Sequence, residues 1–337
     1  MAAVPTSPSN TARTTPNAAD APRHRPSWGE RLVAHGPEIS LLVLCIAFAL
    51  STNSFLSLRN LLNVLDQLTV LGIMALGMTA VIVIGGIDLS VGSVLALSMM
   101  VMGWLANVMG LPMPLAMLAA LAVGALCGLG SGLLVTKANL PAFIATLAMM
   151  SIARGLANMV TDGSQIVGYP EWFSALSINR YLGFMSVTVA LTILLTVLAA
   201  VYMKYRAGGR ALYAIGGASE VARLAGIQVK RVTLIVYTVC GMLAGLAGVV
   251  MSTRLDSSQP SGGLGYELDT IAAVVIGGAS LSGGVGSIGG TVVGVLIIGV
   301  LRNGLNLLGV SPFIQQVVIG VVIALAVATD TWRRRAQ

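Results

Sequence analysis

Few side chains of this chain could carry out covalent or metal chemistry. Its two histidines, His24 and His35, lie in or beside a polar N-terminal segment. The cysteines Cys45, Cys127 and Cys240 each lie inside apolar sequence, with no spacing typical of a disulfide or a metal site. A histidine metal site, a histidine proton relay and a nucleophile–base pair are therefore excluded, and we expect no metal and no enzyme activity.

The composition indicates a helical membrane protein. Of 337 residues, 56% are hydrophobic and only 9% are charged, and the mean hydropathy is +0.90. Soluble domains carry about 25% charged residues. The apolar runs are continuous rather than alternating, which favours helices over a membrane barrel. The expected fold is therefore an all-α, polytopic membrane protein, in contact with lipid.

The apolar blocks predict about ten transmembrane helices, since a helix needs about 20 residues to cross the hydrocarbon. The blocks lie at residues 39–52, 61–85, 89–109, 114–136, 141–160, 184–203, 232–252, 270–281, 288–302 and 312–329. Three of them are short, so those helices are expected to be tilted, extended or broken. We expect a disordered tail over 1–36, a transmembrane domain over 37–330 and a basic tail over 331–337.

The basic residues predict the orientation. Ten spans place both termini on one side, and the positive-inside rule makes that side the cytoplasm. Residues 204–231 carry six Lys and Arg residues between two charge-free blocks, so they form a cytoplasmic loop. The net charge of +7 is explained by this distribution. A nucleic-acid partner is therefore not expected.

Gly-x-x-x-Gly spacings predict close contacts between helices, because small residues let two backbones approach. They occur at Gly124-x-x-x-Gly128-x-x-x-Gly132, at Gly241-x-x-x-Gly245 and at Gly290-x-x-x-Gly294. In a chain with 40 glycines, any one of these spacings could also arise by chance.

An internal repeat interrupts two apolar blocks with paired glycines. Residues 83–92 read V-I-G-G-I-D-L-S-V-G, and residues 275–284 read V-I-G-G-A-S-L-S-G-G, with seven of ten positions identical. Such breaks are typical of discontinuous helices along a transporter's route. The candidate pathway residues are Gly85, Gly86, Asp88, Ser90, Gly277, Gly278 and Ser282. The span count gives both breaks the same orientation, whereas inverted repeats need opposite ones.

Asp88 has two compatible interpretations. With Asp66 it is the only charge between Arg59 and Lys137. An acidic side chain at membrane depth costs about 2.5–3.5 kcal/mol, which suggests a pathway or gate residue. Asp88 also precedes an apolar run, where an Asp commonly caps the next helix, and we favour this cap. Asp66 is expected to form a structural polar cluster between helices.

The motifs of the chain resemble those of permease subunits of bacterial monosaccharide ABC importers, most closely the ribose type. The loop sequence around Glu220-Val221-Ala222-Arg223 resembles the E-A-A-x-x-x-G loop that docks such permeases on their ATPases, with Val221 replacing an Ala. The other matching stretches are GMTAVIVIGGIDLSVGSVLAL (77–97), PAFIATLAMMSIARG (141–155), SSQPSGGLGYELDTIAAVVIGG (257–278) and NGLNLLGVSPF (303–313). The resemblance covers about residues 37–330.

The resemblance implies an importer of several subunits in the bacterial inner membrane. The implied partners are a second permease, usually an identical copy, an ATPase with two cassettes, and a periplasmic or lipid-anchored sugar-binding protein. The chain has no G-x-x-x-x-G-K-[ST] motif, so we expect it to hold no cofactor, with ATP used by the partner subunit. The implied ATPase-coupling residues are Gly216, Gly217, Glu220, Ala222, Arg223 and Gly226. Gly216 and Gly217 are predicted to turn the chain into a short helix that Gly226 ends.

The outer segments contain candidate contacts for the binding protein, since complementary charges set docking rate and register. These are Arg180, Arg254, Asp256, Glu267 and Asp269, and the alternative for each is an ordinary solvated loop charge. Ribose is the first candidate substrate, followed by xylose, galactose and allose. A branched-chain amino-acid ABC permease is the main alternative function, and an ion-coupled secondary transporter is a weaker one.

Overall fold

The computed structural model describes residues 35–181 and 183–335, except for the side chains of 326, 327 and 329–335. From Pro37 onward the described residues form one compact unit. The predicted N-terminal tail therefore lies outside the described residues, apart from its last two positions.

The described residues contain thirteen helices and one short two-stranded ladder. In chain order the elements are α1 (Gly36–Ser51), α2 (Leu58–Val83), α3 (Val91–Asn107), α4 (Met113–Thr136), α5 (Ala142–Met159), β1 (Ile166–Val167), α6 (Glu171–Ile178), α7 (Val187–Tyr205), α8 (Ala207–Gly217), α9 (Ser219–Leu224), α10 (Val229–Leu255), β2 (Ser257–Ser258), α11 (Tyr266–Ile276), α12 (Ile288–Leu307) and α13 (Pro312–Arg335). β1 and β2 pair antiparallel, with Ile166 opposite Ser258.

Six helices are long and apolar enough to cross a membrane: α2, α4, α5, α7, α10 and α12. Shorter apolar helices are α1, α3 and the Pro312–Leu325 part of α13. The prediction of a helical membrane protein is thus confirmed. Each of the ten predicted blocks contains one helix, but α11 has only 11 residues, or about 16 Å of helix. Ten complete spans therefore remain a prediction.

Serine residues begin three of the long helices, as expected at the N-cap position. The hydroxyl oxygen of Ser57 accepts a hydrogen bond from the Asn60 backbone N–H (3.3 Å) at the start of α2. Ser186 does the same for Val189 (3.3 Å) at the start of α7. Ser287 begins α12 in the same way. The helix starts are thus fixed by local sequence, and α13 continues to Arg335, into the predicted C-terminal tail.

The core is organised around α10, which packs against α2, α3 and α4. Along α4 and α10 the predicted glycines face each other: a Cβ built at Gly241 would lie 2.8 Å from the Cα of Gly128. A Cβ at Gly245 would lie 2.7 Å from the carbonyl oxygen of Ala120. These distances leave no room for a side chain, so both spacings mark backbone contacts between helices.

The third glycine spacing brings α12 against α11. A Cβ built at Gly294 would lie 3.0 Å from the backbone nitrogen of Gly277. Near the other end of the pair, Arg302 of α12 forms an ion pair with Asp269 of α11 (2.5 Å). The two helices therefore run antiparallel, joined by residues 277–287. All three predicted spacings are helix contacts in the structure.

Candidate functional site

The loop predicted to dock on an ATPase contains two helices, α8 and α9. Helix α9 has six residues and buries Ala222, whose exposed fraction is 4%. Glu220 and Arg223 form an ion pair at 2.9 Å with both side chains exposed, so it contributes little to stability. Leu224 is 77% exposed. The helix thus displays an apolar side chain and an ion pair on its outer surface.

Gly226 ends α9 with a two-bond C-cap. Its φ is +87°, a left-handed conformation that glycine adopts without strain. Its N–H donates to the carbonyl of Arg223 (3.0 Å), and the next N–H, of Ile227, donates to Ala222 (3.0 Å). A larger residue at Gly226 would strain this cap and change the direction in which the chain leaves α9.

Val221 is the position at which the predicted docking loop departs from the resembled motif. Its side chain is 64% exposed, so the extra methyl groups do not enter the core of the subunit. The substitution therefore leaves the fold of α9 intact and enlarges its exposed apolar surface.

The predicted turn at Gly216-Gly217 is wrong. Gly216 and Gly217 are the last two residues of α8. The chain changes direction at Ala218, whose backbone is extended (φ −161°, ψ 96°). Gly216 serves a different purpose, since it packs directly against the end of α2 and against Gly284, whereas a Cβ at Gly217 would meet nothing within 4 Å. The sequence indicated that small residues are needed here, but the reason is a close approach rather than a turn.

The two Gly-Gly breaks end their helices with the same hydrogen-bond pattern. At the first, Gly85 (φ +79°) donates to Ile82 and Gly86 donates to Val81, both at 2.9 Å. At the second, Gly278 (φ +92°) donates to Val275 (2.9 Å) and Ala279 donates to Val274 (3.1 Å). By its hydrogen-bond pattern Gly85 thus corresponds to Gly278, whereas the sequence repeat aligns Gly85 with Gly277. The caps are alike, whereas a duplication of the whole segment remains a prediction.

The breaks are in contact with each other. The backbone N–H of Gly284, just beyond the second break, donates to the carbonyl of Val83 at the end of α2 (2.8 Å). A Cβ built at Gly283 would lie 2.9 Å from the Cα of Gly85. Segments almost 200 residues apart in sequence therefore meet through their backbones, at the end of α8.

Asp88 organises the entry to α3. One of its carboxylate oxygens accepts hydrogen bonds from the N–H (2.9 Å) and the hydroxyl (2.6 Å) of Ser90, the residue preceding α3. Both side chains are 1% exposed, whereas Ser282, the counterpart of Ser90, is exposed. The other oxygen of Asp88 has no hydrogen-bond partner among the described residues. Ser90, and not Asp88, holds the N-cap position of α3, and no side chain makes a cap hydrogen bond there. Asp88 thus closes the turn just before the helix rather than capping it as predicted, and a role in a pathway stays a prediction.

The charged residues of the segments predicted to lie outside the membrane are largely engaged within the subunit. Arg180 forms an ion pair with Asp66, which also accepts a hydrogen bond from Ser186 (3.0 Å). The hydroxyl of Ser174 donates to Asp256. Of the predicted docking residues, Arg180 and Asp256 thus have partners inside the subunit, and the polar cluster expected around Asp66 is present.

Asp269 and Arg254 line a polar cavity of about 300 Å³. Asp269 is only 3% exposed and pairs with Arg302, so its burial suits a structural contact more than one with another protein. Glu267 packs against Gly92 in the first turn of α3, where the helix dipole favours a carboxylate. Any role of these residues in docking remains a prediction.

Sequence reasoning missed two arginines that hold this region together. Arg302 pairs with Asp269, and Arg154 of α5 donates to the carbonyl oxygens of Pro260 (2.5 Å) and Gly262 (3.0 Å). Charges within apolar blocks are expected to be paired. That expectation could have singled out both residues, although not their partners.

Comparison with known proteins identifies the family. The model of the family "Branched-chain amino acid transport system / permease component" matches residues 60–327. The chain belongs to this family. The permease is thus an integral membrane transport subunit, as the apolar helices also indicate.

The names of several relatives of the permease include a sugar. It is 47% identical over 302 residues to the ribose import permease protein RbsC of Escherichia coli K12, covering 87% of this chain and 92% of the relative. Identity to RbsC of Bacillus subtilis 168 is 46%, covering 88% and 92%. The fructose import permease protein FrcC of Rhizobium meliloti is 36% identical, covering 89% and 85%. No solved structure matches the chain.

Proposed function

We propose that this permease carries a monosaccharide, with ribose the first candidate, into the bacterial cytoplasm in an ATP-driven importer. The observation that carries the proposal is the 46–47% identity to ribose import permeases over nearly nine tenths of the chain. The fructose and arabinose permeases among the relatives are less similar, at 36% and 35% identity.

The permease acts with three kinds of partner. A separate ATPase with two cassettes supplies the energy, and a periplasmic or lipid-anchored binding protein delivers the sugar. A second permease subunit, usually an identical copy, completes the route. The chain itself holds no ATP site, because it contains no phosphate-binding glycine motif.

Helix α9 is the proposed contact with the ATPase. It exposes Leu224, Val221 and the Glu220–Arg223 ion pair, while buried Ala222 anchors it. An exposed apolar patch with a polar rim is typical of a protein interface. In this arrangement the α8–α9 segment and both termini are cytoplasmic, and ten helical segments lie in the inner membrane.

A branched-chain amino acid is the second candidate substrate. It is favoured only by the description of the matching family, while the relatives above are named for sugars. Selectivity between these substrates rests largely with the binding protein in the proposed arrangement.

The test is uptake by the assembled importer. The permease, its ATPase and its binding protein are reconstituted in liposomes, and uptake is measured for ribose, xylose, galactose, allose, fructose, L-arabinose and leucine. Ribose uptake that needs both ATP and the binding protein is expected. Uptake of leucine alone would overturn the proposal of a sugar substrate. Uptake without ATP would overturn the proposal of an ATP-driven importer.

The coupling role of α9 is tested by replacing Gly226 with valine. Valine at φ +87° costs about 1–3 kcal/mol of local strain and redirects the exit from α9. We expect uptake and sugar-stimulated ATPase activity to be lost while the permease still reaches the membrane. Gly309→Val is a matched control, because Gly309 also has a positive φ (+70°) and an added Cβ there meets nothing within 4 Å. Unchanged sugar-stimulated ATPase activity in Gly226→Val would count decisively against the coupling role.

A further inference from the structure

Direct contacts between backbone atoms join α8 to both Gly-Gly breaks. Gly216 in the last turn of α8 contacts Val83 at the end of α2, and the loop after the second break contacts both at Gly283 and Gly284. These three segments come from distant parts of the sequence. We call this contact the glycine junction.

The contacts of the glycine junction leave no space for side chains. A Cβ built at Gly216 would overlap the Val83 carbonyl oxygen and the Gly284 nitrogen, and would lie 3.0 Å from the Val83 carbonyl carbon. A Cβ at Gly283 would lie 2.9 Å from the Cα of Gly85 and 3.0 Å from that of Gly216. Closely packed backbone has low compressibility and passes displacement on directly.

A side-chain tether holds the same elements together one turn earlier in α8. The hydroxyl of Tyr213 donates to the carbonyl oxygen of Gly286 (2.9 Å). Gly286 belongs to the loop that joins α11 to α12, so the tether fixes α8 to the second break. Helix α8 is also embedded in the core through Leu212 and Ile215, which are 3% and 5% exposed.

We infer that Tyr213, Gly216 and Gly283 are positioning residues for energy coupling, which hold α8 against both breaks so that they move together. Helix α9 follows α8 after the single residue Ala218. A displacement of α9 would therefore move α8, and α8 would move the ends of α2 and α11 with it. This inference rests on the proposed coupling role of α9.

The decisive experiment compares two helical glycines. Gly216→Ala forces the junction apart, whereas a Cβ at Gly155, inside α5, meets nothing within 4 Å, so Gly155→Ala is the control for the gain in helix propensity. The assembled importer is reconstituted, and radiolabelled ribose uptake and ATP hydrolysis are measured together. For Gly216→Ala we expect sugar moved per ATP to fall about ten-fold. We expect Gly155→Ala to keep the wild-type ratio.

Two further variants decide the matter if Gly216→Ala does not reach the membrane. Tyr213→Phe removes one hydrogen bond and keeps the ring, so the ratio should fall about three-fold. Gly283→Ala adds a clash to the strain of a positive φ, whereas Gly309→Ala adds strain alone, since its Cβ meets nothing within 4 Å. We expect a lower ratio for Gly283→Ala than for Gly309→Ala.

The outcomes separate this inference from the proposed function. If the wild-type permease neither binds the ATPase nor supports stimulated hydrolysis, the proposed function fails. If the wild type is coupled and Gly216→Ala has the same ratio as Gly155→Ala, the inference is overturned while the proposed function stands. The inference is equally overturned if Tyr213→Phe and Gly283→Ala both keep the ratio of the wild type and of Gly309→Ala.

Discussion

Replacing Gly128 with alanine should separate α4 from α10. A Cβ at Gly128 would overlap the carbonyl oxygen of Tyr237 and lie 2.9 Å from its carbonyl carbon and 3.0 Å from the Cα of Thr238. An ordinary contact begins at 3.4 Å, so the two backbones must move apart by at least about 0.5 Å. A gap of that size loses about a quarter of the dispersion attraction at each neighbouring contact.

The expected cost follows from overpacking against two backbones. Such overpacking destabilises a core by about 1–3 kcal/mol. Helices within a bilayer have no hydrophobic force between them to compensate. Alanine returns up to about 1 kcal/mol through its better helix propensity. We therefore expect Gly128→Ala to lower the free energy of unfolding by about 1–2 kcal/mol.

Gly130 of the same helix provides the matched control. The nearest atom to a Cβ at Gly130 is the terminal methyl of Met149, at 2.8 Å. A flexible methionine side chain can turn aside, so Gly130→Ala should not lower stability and gains up to about 1 kcal/mol from helix propensity. Both variants are unfolded by sodium dodecyl sulfate in mixed micelles and followed by circular dichroism. If they unfold at the same detergent fraction, the backbone contact between α4 and α10 does not stabilise the permease as argued.

Two further predictions concern the outer surface and the breaks. Charge reversal in Arg254→Glu or Glu267→Lys should weaken stimulation by the binding protein and change its salt dependence, because these half-buried charges would act on a docking partner mainly through screened, long-range attraction. Equal stimulation at low and high salt in both variants would make them ordinary loop charges. Cysteine at exposed Ser282 should react with a polar thiol reagent, while cysteine at Ser90, which is 1% exposed, should be protected until trapped ATP opens the break. Reactivity that never changes with nucleotide at either position would remove both residues from the pathway.

Local sequence predicted the features that depend on a few neighbouring residues. Gly226 ends a helix because a left-handed residue there closes two hydrogen bonds within six residues. The spaced glycines of α4 and α10 mark a contact because a small residue at every fourth position leaves one helix face bare. In both cases the physical cause lies within about two helical turns, so the pattern is visible in the chain.

The pairing of distant residues could not be predicted in the same way. The ion pairs Asp66–Arg180 and Asp269–Arg302 follow from the general rule that buried charges need partners, but the choice of partner is set by how the helices pack. Gly216 is the clearest example: its contact is with Val83, far away in sequence. A glycine in a turn and a glycine in a backbone contact look alike until the fold is known.

The internal pairing of charges also bears on how a sugar could pass. Asp66 and Asp269 each form an ion pair with an arginine, and Asp88 accepts a hydrogen bond from Ser90. A sugar that competed for these groups would have to leave a charge unpaired, which costs far more than one sugar hydrogen bond returns. Such a sugar would therefore bind weakly to them and leave quickly, as transport requires. Recognition is then best placed in the binding protein, while the permease contributes a route whose opening, in our proposal, is coupled to the ATPase through the glycine junction.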